Sequence, residues 1–236
     1  MRISFSGAAC TGKTTTIKAF LKKWSNYKTL ELDYRHLIKG NKHSKHTDRR
    51  TQKNILEYMY NSQKDYTLHD NIVYDRCPLD NLVYTLWAYE KGVKGFNEKF
   101  VNDCMGIVRE SMRSLDIIFL CTRDLMGSIE KDGKREADPL YVAETDNIFK
   151  AISKQFQTGT SPIFPPNDSP AIIEIYGNTD ERIAQVALYV TEEGTMYGEE
   201  QSIVNFDELI KMKSLIEEQK GQLKKENRLP IIDPNK

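Results

Sequence analysis

A chain of 236 residues suits one α/β domain with room for an appendage. Its 39% hydrophobic and 29% charged residues allow a sizeable core beneath a heavily charged surface. A formal net charge of zero excludes a globally basic nucleic-acid binder, and the lack of any apolar run of bilayer length excludes a spanning helix.

Arg2-Ile3-Ser4-Phe5-Ser6 alternates and predicts a buried first strand rather than a secretory leader, so the expected location is cytoplasmic. Gly7-Ala8-Ala9-Cys10-Thr11-Gly12-Lys13-Thr14 follows and matches G-x-x-x-x-G-K-T, the phosphate-cradling P-loop. Behind it Ile17, Phe20, Leu21 and Trp24 recur at helical spacing, so the loop stands between a strand and a helix as the motif requires. The two glycines let the backbone amides turn toward one centre, and the helix N-terminus adds positive potential there. Lys13 is expected to reach the β- and γ-phosphates of ATP, and the Thr14 hydroxyl to ligate Mg²⁺. The predicted nucleotide-binding stretch is Gly7, Ala8, Ala9, Cys10, Thr11, Gly12, Lys13, Thr14 and Thr15.

Residues 28–32 read as a second strand ending at Asp33. The segment 35–53 is rich in cations and contains three of the four histidines, with Asp48 as its only acid. It reads either as a solvated loop running into a helix or as a phosphate-contacting surface. A helix is expected over 48–65, then a third strand over 71–76 with Asp75 and Arg76 at its carboxyl end. Pro78 opens the next helix, whose apolar face is Leu79, Leu82, Val83 and Leu86. A further helix carries Phe100, Val101, Cys104, Met105, Val108 and Met112 on one face. Residues 115–121 are nearly all apolar, which marks a strand covered on both faces of a parallel sheet. The polar stretch 122–135 precedes a helix over 139–156, a loop with four prolines, and a last strand over 171–176. Asn178 and Glu181 form a capping box for the next helix. Residues 1–192 make up the expected domain, and 193–236 an extension with one amphipathic helix. Cys10, Cys77, Cys104 and Cys121 form no C-x-x-C pair and read as reduced thiols.

In an open α/β sheet, ligands gather beyond the carboxyl ends of the strands. Asp33, Asp75 and Arg76 fall there. Phosphoryl transfer needs charge neutralisation, a positioned acceptor and a carboxylate to take its proton. Asp33 or Asp75 suits that last role, or holds Mg²⁺ through water, and the planar fork of Arg76 suits an oxygen pair on the acceptor. Arg123, Lys134 and Arg135 are placed to close over the transferring group as a lid.

The P-loop, the strand-ending Asp75-Arg76 followed by Cys77-Pro78-Leu79-Asp80, and Asp132-Gly133-Lys134-Arg135 together resemble the P-loop nucleoside and nucleotide kinases. Within these the chain is most similar to the AAA-type group containing nicotinamide riboside kinase domains and many bacteriophage kinases, over about residues 1–190. The resemblance implies a three-layer α/β fold with a five-stranded parallel sheet, ATP and Mg²⁺ as cofactors, and a small hydroxyl or phosphate acceptor. Some phage members act on the hydroxymethyl group of a modified pyrimidine in DNA, such as 5-hydroxymethyluracil. The catalytic acid of P-loop motor ATPases has no equivalent in 115–121, where Asp116 near the start is the only acid.

The expectation is therefore an ATP-dependent kinase of nucleosides or nucleotides. Lys13, Asp75 and Arg135 are its catalytic candidates, with Asp33, Arg76, Arg123 and Lys134 around the acceptor. A small acceptor is favoured over DNA because no aromatic residue lies between Tyr34 and Tyr58 to stack on bases. A DNA-base kinase and a nucleotide-binding regulator with slow ATPase activity are the rivals, and a homodimer is left open.

Overall fold

The computed structural model describes residues 1–31, 34–38, 44–67, 69–122 and 138–197. The chain divides into two units, Met1–Met196 and Tyr197–Lys236. Of the second unit only Tyr197 is described, so the expected tail helix lies outside the described residues.

Five strands, β1 (Arg2–Ser6), β2 (Lys28–Thr29), β3 (Ile72–Asp75), β4 (Ile117–Cys121) and β5 (Ala171–Ile175), form one sheet in the order β2-β3-β1-β4-β5. Every neighbouring pair runs parallel. Among the described residues six α-helices connect and follow them: α1 (Lys13–Lys23), α2 (Arg49–Lys64), α3 (Pro78–Glu90), α4 (Glu98–Met112), α5 (Pro139–Gln157) and α6 (Thr179–Val186). On one face of the sheet, Ile3, Phe5 and Phe119 pack with Phe20 and Trp24 of α1 and Val186 of α6. On the other, Ile72, Tyr74, Ile118 and Leu120 pack with residues of α2, α3, α4 and α5. The alternation of strands and helices predicts a parallel sheet, and this is the three-layer, five-stranded form that the resemblance implies.

The local signals explain the element ends. Asp48 accepts from the Thr51 amide at 2.7 Å and starts α2. Pro78 sits in the first turn of α3, and Asn178 with Glu181 closes the capping box of α6. The polar positions of β1 are buried as well as its apolar ones. Ser4 and Ser6 hydrogen-bond each other at 3.2 Å, and Ser6 contacts the Cys77 thiol at 3.4 Å, so small side chains let the start of α3 come close to β1. Arg2 donates to Asp116 through its backbone at 2.6 Å and its guanidinium at 2.9 Å, which gives the lone acid before β4 a role in joining two strands.

One strand departs from expectation. β2 ends at Thr29 instead of running to residue 32. Leu30 leaves the ladder to pack against the face that α2 covers, and the chain turns into a 3₁₀ segment, Tyr34–Leu37. Among the described residues, no helix is long and apolar enough to cross a membrane.

Candidate active site

The loop between β1 and α1 owes its shape to three left-handed residues, Gly7 (φ 138°), Cys10 (φ 58°) and Gly12 (φ 78°). Gly7 is required sterically as well, because a Cβ there would lie 2.5 Å from the Cys121 carbonyl oxygen at the end of β4. Ala8 and Ala9 are buried against Val142 of α5. Gly12 precedes α1 with no side-chain cap, and no acid stands in the first turn. The first amides of α1 thus have no side-chain cap, an arrangement suited to an anion. Thr15 is exposed on that first turn.

Lys13 is buried, and its ammonium folds back onto its own loop. It donates to the Gly7 carbonyl at 2.8 Å, to the Ala8 carbonyl, and to the Thr11 hydroxyl at 3.1 Å. Burial and then the nearby Arg76 guanidinium push its pKa down to about 7, against the opposing pull of Asp80, Cys121 and Asp75. An unfolded lysine titrates at its ordinary value of 10.5, so the unfolded chain binds more protons between these two values. The resulting penalty on the folded state is complete below pH 7 and fades above it. Lys13 is therefore expected to make stability rise with pH across this window, by up to about 1.4 kcal/mol per pH unit. Urea unfolding of the wild type and of Lys13→Met across pH 6 to 10 checks this. The difference in stability between the two should change steadily above pH 7, and a difference that stays flat contradicts the assignment.

Asp75 and Arg76 close β3 beside the loop. The Thr14 hydroxyl donates to Asp75 Oδ2 at 3.1 Å, while Asp75 Oδ1 is buried without a partner. Arg76 has a left-handed backbone (φ 82°), a strained conformation for a residue with a side chain. Its Nη1 donates to the Gly7 carbonyl at 3.1 Å, to Asp80 Oδ1 at 3.0 Å and to the Tyr84 hydroxyl at 2.8 Å, leaving Nε without a partner. The same Asp80 accepts from the Gly7 amide at 3.2 Å and the Cys77 amide at 3.1 Å. Asp80 thus ties the loop, the end of β3 and the start of α3 together. From the opposite side, buried Arg182 of α6 donates to the Thr11 carbonyl and, at 3.1 Å, to the Thr122 carbonyl. Asp33, Arg123, Lys134 and Arg135 lie outside the described residues.

A cavity of about 290 Å³ opens at the junction of these elements. Thr14, Asp75 and Arg76 line it, and Tyr34, Gln63 and Tyr74 stand among its other walls. Sequence reasoning singled out the first three of these as site residues. It missed Gln63, Tyr74, the clamping Asp80 and Tyr84, and Arg182. Part of the signal was present: Gln52, Ile55, Leu56, Met59 and Gln63 share the buried stripe of α2, so a glutamine on an apolar stripe was readable. Arg182 carries no local signal, since the carbonyl it holds at Thr11 is 171 positions away.

A parallel sheet in this order, with a phosphate loop after its central strand, is the fold of the P-loop kinases. The family model for the AAA domain matches residues 2–163, and the chain belongs to that family. Among curated proteins none matches the chain. Solved structures share the fold at low identity. A deoxyadenosine kinase from M. mycoides, with dCMP and dCDP bound, is 17% identical at a TM-score of 0.56, covering 79% of this chain and 96% of its own. Thymidylate kinase from Candida albicans is 17% identical at a TM-score of 0.54, covering 78% and 88%. NadR protein in complex with NR is 16% identical at a TM-score of 0.53, covering 86% of this chain and 52% of its own.

Proposed function

We propose that this chain is a cytoplasmic kinase that transfers the γ-phosphoryl group of ATP to a hydroxyl or phosphate of a nucleoside or nucleotide. The observation that carries this reading is the Thr14–Asp75 hydrogen bond of 3.1 Å at the mouth of the cavity, with the second carboxylate oxygen of Asp75 unpaired. It sets a phosphate-loop hydroxyl and a proton acceptor side by side at a space fit for a small acceptor. The donor set suits Mg²⁺, since a threonine hydroxyl and an aspartate are hard oxygen ligands. When bound, Mg²⁺–ATP supplies the phosphoryl group and offsets its charge.

The chain's own residues do the rest. The uncapped start of α1 and the loop amides receive phosphate oxygens, and Lys13 turns from the Gly7 and Ala8 carbonyls toward them. Asp75 accepts the proton of the acceptor hydroxyl, with Asp33 as the alternative base. Arg76 lines the cavity beside the reacting end and stabilises negative charge there. Arg123, Lys134 and Arg135 complete the site as a lid.

The cations of the basic segment support a small acceptor over DNA, because several have partners within the chain. Lys45 pairs with Asp138 at 3.2 Å and Lys53 with Glu57 at 3.6 Å. Arg49 stacks over Phe100 at 4.8 Å and Arg35 over Tyr34 at 5.1 Å. The test is phosphate transfer from labelled ATP to nucleosides, nucleoside monophosphates, nicotinamide riboside and hydroxymethylated DNA. Labelled small-molecule product is the expected result. Product on DNA alone, with a salt dependence that flattens in the Arg49, Arg50 and Lys53 triple alanine variant, overturns it in favour of a DNA-base kinase. Hydrolysis of ATP with no phosphorylated acceptor overturns it in favour of a regulator.

A further inference from the structure

We infer that the cavity beside β3 reads the base of a nucleoside-class acceptor, and that the side-chain amide of Gln63 makes the reading. The inference rests on the kinase reading above and adds to it the part of the acceptor that is recognised.

The cavity follows from the early end of β2. Lys28 pairs with Ile72 and Thr29 with Val73, after which β2 stops. Tyr74 and Asp75 therefore have no strand beside them on that side, and the open sheet edge becomes a space walled by α1 and α2. At about 290 Å³ it stands at the low end of small-molecule pockets, which run from ~300 to ~1,000 Å³. That suits one nucleoside.

Its walls carry an unusual set of buried polar atoms. Gln63 is 1% exposed, and neither its Nε2 nor its Oε1 has a hydrogen-bond partner. The Tyr74 hydroxyl, 2% exposed, the Asp75 Oδ1 and the Arg76 Nε are equally unpartnered, and all four residues line this one cavity. Buried polar groups are nearly always satisfied, so orphans gathered on residues that line a single space mark the place where a ligand can supply the partners once the side chains turn toward it. The kind of partner follows from the groups. An amide offers one donor and one acceptor side by side, the complement of a ring edge that presents the reverse pair, as adenine does with N6 and N7. Leu21 and Met59 provide apolar walls for the ring, and Asp75 with Thr14 provides the end where a hydroxyl reacts. Gln63 and Asp75 thus offer one molecule two kinds of contact, one for a hydrogen-bonding base and one for a hydroxyl-bearing sugar.

Calorimetric binding of deoxyadenosine, deoxyguanosine, deoxycytidine, thymidine and nicotinamide riboside, without ATP, tests this. The wild type is expected to bind at least one of them with a clear order of preference. Gln63→Leu should weaken the preferred nucleoside about tenfold or more while leaving ATP affinity unchanged. Gln63→Glu, which removes the donor, should change the order of preference. Tyr74→Phe deletes a single hydroxyl and guards against misfolding of the Gln63 variants; it should weaken binding more modestly with the fold intact. Binding and preference unchanged in both Gln63 variants, or no nucleoside bound by the wild type, overturns the inference. Because binding is read apart from turnover, a wild type that binds nucleosides selectively through Gln63 but transfers no phosphate upholds the cavity's assignment while the kinase reading falls.

Discussion

Lys13→Ala protein is expected to fold normally and to lose phosphoryl transfer by ~10²-fold or more. In the free protein the ammonium is held by the Gly7 and Ala8 carbonyls and the Thr11 hydroxyl, all within its own loop. The loop also has anchors besides Lys13: Asp80 holds the Gly7 amide, Arg76 the Gly7 carbonyl, and Arg182 the Thr11 carbonyl. The loop therefore keeps its course when the ammonium is removed, and the loss falls on the charge of the transferring group. Circular dichroism and thermal unfolding separate the two effects from a turnover assay. A well-folded Lys13→Ala protein with normal turnover would remove the basis of the proposed function.

Asp75→Asn is expected to lower turnover by ~10²–10⁴-fold, the range in which a positioned proton acceptor contributes, while ATP still binds. An asparagine retains an oxygen to receive the Thr14 hydroxyl, now 3.1 Å from Asp75 Oδ2, so the shape of the site survives. What is lost is the acceptor of the substrate's proton. Asp33→Asn is the companion variant, and single-turnover kinetics with nucleotide binding measured alongside distinguishes them. A large loss confined to the Asp33 variant moves the base to that residue, and equal, mild losses in both show that neither is essential.

The two variants differ in how far their partners could be foreseen. Lys13 belongs to a loop whose proposed role rests on contiguous residues. Its glycines, its lysine and its threonine act through backbone shape and short reach, so eight consecutive positions carry the signal. The strand ends carry much of the rest. Asp75 and Arg76 follow a hydrophobic run, and the carboxyl end of such a run in a parallel sheet is where ligands gather. The assignment of Arg76 to the acceptor alone, however, omitted its neighbours. Asp80 and Tyr84 stand one and two helical turns along α3, and in the fold they hold the Nη1 of the guanidinium that the sequence left free.

By itself, then, the sequence determined the α/β class, the succession of strands and helices along the chain and the place of the glycine-rich loop between β1 and α1, because each rests on periodicity or on contiguous residues. The order of the strands was decided by tertiary structure, as were the halt of β2 at Thr29, the clamp of Arg182 on the loop and the orphaned amide of Gln63. These depend on which distant side chains arrive at one place and which polar atoms are left unmatched when they do. A glutamine on an apolar stripe is visible in the chain, but that it lacks a partner is a property of the packed molecule alone.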